Sequence, residues 1–227
     1  MTLSKERPSL SFAERIEHTL LNTKASDDDV AHLCKEALEE GFRAVCCLPR
    51  DVVMCRKLLQ DSKILVVTVV DFPLGSCTLD VARFECERVI ENGADEVDMV
   101  VDIRALRLGD LGSVRDGIAG VVAAAQGRPV KTILETGLLT QQQIVGGCVA
   151  AEAGGAAYVK TSTGFGPRGA GTQDVALMRA AVGNRIGIKA AGGIRTHAFA
   201  RELVEAGADL IGTSSGSDCL PAACVTD

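Results

Sequence analysis

The chain has 227 residues, 47% of them hydrophobic, with 24 Lys and Arg against 30 Asp and Glu for a formal net charge of −6 and only 3% aromatic residues. Such a composition excludes a disordered or fibrous chain, and negative charge with few stacking platforms argues against nucleic acid as a partner. The strongly apolar run Ile64 to Val70 is far shorter than the ~20 residues of a membrane-spanning helix, and the start, MTLSKERPSLSF, has no apolar stretch followed by a small-residue cleavage site; the expectation is a cytoplasmic protein without a membrane partner.

In chain order, a polar lead-in to about Leu10 precedes a predicted helix over Phe12 to Glu17. Short β-branched runs then alternate with segments of helical periodicity. The predicted strands are His18 to Leu21, Arg43 to Leu48, Lys63 to Val70, Glu96 to Val101, Val130 to Glu135, Ala157 to Thr161, Ile186 to Ala190 and Asp209 to Thr213. Helices are predicted over Asp27 to Glu40 after a Ser26 cap, Leu79 to Asn92 after Thr78, Gln141 to Ala153 after Thr140, and Val175 to Val182 after Asp174. The stretches GADE, GGAA and GADL from Gly93, Gly154 and Gly207 are versions of one helix-to-strand turn.

Strands such as ILVVTVV are apolar on both faces, as a parallel sheet covered by helices requires. The predicted fold is therefore a single-domain α/β (β/α)8 TIM barrel over residues 1–227, with an N-terminal helix and a short C-terminal segment; an open doubly wound sheet is the alternative. The nine cysteines include the adjacent pair Cys46 and Cys47 and no CxxC spacing, so reduced thiols are expected. Cys46 and Cys47 point to opposite faces of a strand, with Cys46 a candidate for the barrel interior.

In a barrel the strand C-termini form the active face, which singles out Asp98 in EVDMVV, Glu135 in TILET, Lys160 in AAYVKTSTGF and Lys189 in IGIKAAGGIRT. Lysine is rarely buried without a partner, and strands six and seven are neighbours in a barrel, so the two ammonium groups should approach each other. A second cation and partial desolvation both disfavour protonation, leaving a free amine able to attack a carbonyl. The opposing reading lets each lysine snorkel out of its strand and pair with Asp98 or Glu135. Asp98 can accept and return a proton at the carbon next to an enamine, through water. The glycine-rich runs Ala191 to Arg195 and Gly212 to Gly216, with Thr163 to Gly166, present amides and hydroxyls suited to a phosphate ester, and Arg195 is a candidate peripheral charge. His18, His32 and His197 have no metal-binding spacing, so no metal is expected.

With these motifs the chain resembles the deoxyribose-phosphate aldolases, class I barrel aldolases. The matching stretches are IEHTLL from Ile16, AVCCLP from Ala44, FPLG from Phe72, EVDMVVD from Glu96, ILETGLL from Ile133, VKTSTGF from Val159, IKAAGGIRT from Ile188 and GTSSG from Gly212, in order across nearly the whole chain. The resemblance implies reversible cleavage of 2-deoxy-D-ribose 5-phosphate to D-glyceraldehyde 3-phosphate and acetaldehyde, in deoxyribonucleotide breakdown, with neither metal nor cofactor. It implies Lys160 as the Schiff-base lysine, Lys189 as the lysine that tunes it and Asp98 as the aspartate of the proton relay. Glu17, Thr19, Cys46, Lys131 and Thr161 are then relay or pocket residues, and Gly164, Gly192, Gly193, Ser214 and Ser215 surround the phosphate. The expected partner is a small phosphorylated sugar, and a homodimer is the expected assembly because dimers are common in that family. Glu17 stands where the family usually carries Asp, Leu48 where Asn or Tyr precedes the proline, and Asp102 in a variant stretch, which leaves a related phosphate-aldehyde aldolase or a non-catalytic phosphate-binding protein as the rival readings.

Overall fold

A computed structural model describes residues 10–221, so the polar lead-in before Leu10 and the end of the C-terminal segment, 222–227, lie outside the described residues. Eight parallel strands close on themselves in sequence order. They are β1 (Ile16–Leu20), β2 (Ala44–Cys47), β3 (Leu65–Val70), β4 (Glu96–Val100), β5 (Val130–Ile133), β6 (Tyr158–Lys160), β7 (Gly187–Ala191) and β8 (Leu210–Thr213). The helices are α1 (Asp27–Glu40), α2 (Val52–Leu59), α3 (Leu79–Glu91), α4 (Ile103–Leu108), α5 (Leu111–Ala124), α6 (Gln141–Ala153), α7 (Thr172–Val182) and α8 (His197–Glu205). Hydrogen bonding of β1 to both β2 and β8 overturns the open-sheet alternative. Among the described residues no helix is long and apolar enough to cross a membrane.

Local sequence chemistry sets most boundaries. Helices α1 and α6 begin on capping boxes, Ser26 with Asp29 and Thr140 with Gln143, and end where the periodicity places them. Two expectations fail. The helix over Phe12 to Glu17 is only a 3-10 turn, Ala13–Arg15, because Ile16 and Glu17 are already pairing with Ile211 and Gly212 of β8. Helix α7 starts at Thr172 behind Gly171, not at Val175 behind an Asp174 cap. The Asp174 carboxylate is engaged elsewhere, accepting from the Thr136 hydroxyl at 2.9 Å and from Arg168.

Two apolar layers follow from strand alternation. Residues such as Ile16, Val45, Cys47, Val66, Val97 and Ile188 face outward and pack under the helices in the main core. Leu21, Ala44, Cys46, Val67 and Val69 face inward and form a separate apolar wall contributed by the first three strands and the loop after β1. Cys46 and Cys47 thus fall on opposite sides of β2. Much of the remaining interior is occupied by buried charged side chains from β1, β4, β5, β6 and β7.

Candidate active site

Inward positions on β1, β4, β5, β6 and β7 carry Glu17, Glu96, Asp98, Lys131, Lys160 and Lys189, all buried. The register makes neighbours of Asp98 and Lys131 across β4–β5 and of Lys160 and Lys189 across β6–β7. Asp98 is the hub. Its Oδ2 accepts from Lys160 Nζ at 2.7 Å and Lys189 Nζ at 2.6 Å, and its Oδ1 from Lys131 Nζ at 3.0 Å. Lys189 is also paired with Glu17, and Lys131 lies 2.7 Å from Glu96 and 3.4 Å from Glu17. Below them Arg43, at the foot of β2, bridges Glu17 at 2.7 Å and Glu96. Space for Lys189 comes from β8: a Cβ on Gly212 would stand 2.9 Å from Lys189 Cε.

The number of carboxylates per lysine sets the protonation order. Lys131 has three, Lys189 two and Lys160 one. Burial pushes every one of these amines toward neutrality, since desolvation disfavours the charged form. For Lys131 and Lys189 the surrounding carboxylates outweigh burial and hold the ammonium charged well beyond the ordinary lysine range. At Lys160 burial prevails, reinforced by the Lys189 charge, and the pKa falls despite Asp98. Burial would raise Asp98 and Glu96, but the lysines around Asp98 hold its pKa well below the usual range, and Lys131 with Arg43 brings Glu96 down to about 2. Four cations therefore meet three carboxylates, and the surplus proton is most easily lost from Lys160.

Lys160 is also the lysine of the three that opens on a cavity, a space of about 510 Å³ at the C-terminal ends of the strands. Thr19, Gly164, Gly192, Gly193, Arg195 and Ser214 line it. The structure thus brings most of the expected phosphate-binding residues to one wall. Ser215 is not among the lining; its amide donates to Thr213 Oγ1 at 2.9 Å. Thr161 is likewise turned away, exchanging hydrogen bonds of 3.1 Å with the backbone of Ala191 and so stitching β6 to β7. Thr19 lines the cavity while its hydroxyl donates to the Glu17 carbonyl at 3.0 Å. Cys46 lies within electrostatic reach of Lys189, Asp98 and Lys160, and burial pushes its thiol up, away from thiolate chemistry. Leu48 packs on the inner apolar wall. Asp102 caps α4, accepting from Ala105 N at 2.8 Å.

Two members of the ionic cluster, Arg43 and Glu96, are given no role by the sequence, although Glu96 opens the run EVDMVV. Glu96 had a signal, since i and i+2 share a strand face and Glu96 must point the same way as Asp98. Arg43 had none, because it sits outside the inward alternation of β2 and reaches in from the barrel's lower rim. The opposing reading, in which Glu135 pairs with a lysine, fails. Glu135 meets none of the three lysines and instead accepts from Thr163.

The family model of the DeoC/LacD aldolases matches residues 11–221. Among curated proteins, the chain is 46% identical over 211 residues to a deoxyribose-phosphate aldolase of Thermococcus gammatolerans, covering 91% of this chain and 94% of that one. It is 48% identical over 207 residues to one of Lysinibacillus sphaericus, covering 91% and 93%. A crystal structure of a putative deoxyribose-phosphate aldolase from Coccidioides immitis superposes with a TM-score of 0.89 at 38% identity, over 90% of this chain and 82% of that one. A tetrameric deoxyribose phosphate aldolase from Aeropyrum pernix superposes with a TM-score of 0.86 at 36% identity, over 92% and 88%. With a match along the whole described barrel and a buried lysine poised to lose its proton beside an aspartate, the chain belongs to the DeoC/LacD family of aldolases.

Proposed function

We propose that the protein reversibly cleaves 2-deoxy-D-ribose 5-phosphate to D-glyceraldehyde 3-phosphate and acetaldehyde, with Lys160 as the nucleophile. The observation that carries this reading is the uneven sharing of carboxylates, which leaves Lys160 the readiest of the buried lysines to be neutral and the one facing the cavity. The neutral amine attacks the C1 aldehyde of the open-chain sugar, and loss of water gives a protonated imine. Removal of the C3 hydroxyl proton then lets the C2–C3 bond break. Its electron pair passes into the iminium to form an enamine, and D-glyceraldehyde 3-phosphate leaves. Protonation of the enamine at C2 and hydrolysis release acetaldehyde and restore the amine.

Asp98 lies between Lys160 and Lys189 within hydrogen-bond distance of both, so it hands protons through water or between amines and does not store them; its depressed pKa makes it a poor resting base. Lys189 remains charged and keeps Lys160 nucleophilic. Gly164, Gly192, Gly193 and Ser214 hold the phosphate through amides and a hydroxyl, with Arg195 at the rim. Ser215, outside that lining, donates its amide to Thr213 Oγ1.

The same reading takes the chain as one barrel domain, working in the cytoplasm as a homodimer, which light scattering on the purified protein checks. Borohydride reduction in the presence of acetaldehyde tests the chemistry. One two-carbon adduct should appear on Lys160 by peptide mapping, and equal labelling of the Lys160→Ala protein would sink the assignment.

A further inference from the structure

Glu135 is 2% exposed, carries no part of the ionic cluster, and follows β5 with a backbone φ of 56°. That left-handed conformation is costly for a residue with a side chain and free for glycine, so the side chain must repay it. Its Oε2 accepts both the backbone N–H of Thr163, at 3.2 Å, and the Thr163 hydroxyl. The Thr163 Oγ1 in turn accepts the N–H of Phe165 at 3.0 Å. Gly166 closes over the carboxyl so tightly that a Cβ there would approach it to 2.7 Å. The whole turn after β6, only three residues beyond Lys160, is thus clamped from β5.

A hydroxyl has one proton and two lone pairs. At Thr163 the proton goes to the Glu135 carboxylate and one lone pair to Phe165, so the hydroxyl can meet a further group only as an acceptor. Thr163, Gly164 and Phe165 all line the cavity onto which Lys160 opens. We infer that Glu135 is a positioning residue for the aldol reaction: it fixes the Thr163–Gly166 turn against the cavity and turns the Thr163 hydroxyl into an acceptor for a hydroxyl of the sugar phosphate. This role rests on the proposed reading in which that cavity takes deoxyribose 5-phosphate.

The Glu135→Gly protein tests it, because glycine accepts the left-handed backbone and preserves the fold. KM for deoxyribose 5-phosphate should rise about tenfold or more, the scale of losing a charge-assisted hydrogen bond. Trapping by acetaldehyde alone, which has no hydroxyl for Thr163 to accept, should change far less. The Glu135→Gln protein should recover most of the loss, since its amide oxygen still accepts from Thr163. Thr163→Val should reproduce the rise in KM, and the double variant should be no worse than the poorer single one. A KM in Glu135→Gly within twofold of wild type, or two effects that multiply, overturns the role while leaving the aldolase reading intact. Failure of acetaldehyde to label the wild-type protein overturns both.

Discussion

The lower and upper halves of the barrel's ionic interior are built from the same residue types and do different work. In the lower half Arg43, Lys131, Glu17 and Glu96 neutralise one another through several short contacts each, and every charge has more than one partner. In the upper half Lys160 has Asp98 as its sole carboxylate among the described residues and stands beside a second ammonium. Apart from Arg43, which is half-buried at the lower rim, burial is nearly complete in both. What separates a structural ion cluster from a reactive amine is therefore the ratio of partners and not the depth, because desolvation is common to all and only the local carboxylates decide which amine can keep its proton. The apolar wall opposite, from Ala44, Cys46 and Val67, keeps the dielectric low and so sharpens that contrast.

Removing the reactive amine is the most severe way to break the contrast. The Lys160→Ala protein is expected to lose at least about a thousandfold in turnover, together with borohydride trapping, because no other lysine among the described residues opens on the cavity. Lys189→Met should cost about a hundredfold at neutral pH. Its signature is the direction of the pH shift: without the neighbouring ammonium, and with Asp98 freed to hold Lys160 alone, the Lys160 pKa rises. The acid limb of the trapping rate should then move to higher pH by about one unit or more. A limb that stays in place would show that Lys189 does not set the protonation of Lys160.

The lower half should answer in stability. Arg43→Met strips a shared cation from Glu17 and Glu96, and urea denaturation is expected to show a loss of about 3 kcal/mol, the cost of leaving buried carboxylates short of a partner. The acid side of the stability curve gives a gentler test. Glu96 falls from 4.5 in the unfolded chain to about 2 in the fold. A depressed carboxylate contributes stability that is present above its unfolded pKa and is lost as pH falls through the folded one. The contribution, on the order of 3 kcal/mol, should fade between pH 4.5 and 2. In Glu96→Gln, denaturation midpoints followed over that range should slope less steeply than in the wild type.

Particular residues show why some of this could be read from the chain and some could not. Ser26 with Asp29, and Thr140 with Gln143, announce their helices because a cap is a contact between residues three apart. Asp174 resembles such a cap and is not one, since Thr136, 38 positions away, claims its carboxylate. Ile16 and Phe12 share a helical spacing, yet strand pairing to β8 takes Ile16 into the barrel. At the site, alternation along EVDMVV and the placement of VK and IK at strand ends were enough to mark Asp98, Lys160 and Lys189. Nothing local connects Glu17 to Lys189 across 172 positions, or turns Glu135 toward Thr163 and not toward a lysine.

By itself, then, the sequence determined the eightfold succession of strand and helix and which side chains point into the barrel, because strand parity and capping are short-range properties of the backbone. The sharing of carboxylates among Lys131, Lys189 and Lys160 was decided only by the tertiary structure. Closure of β1 onto β8 brings Glu17 against the lysines of β5 and β7, and protonation in a desolvated interior depends on the sum of charges in space, which no spacing along the chain records.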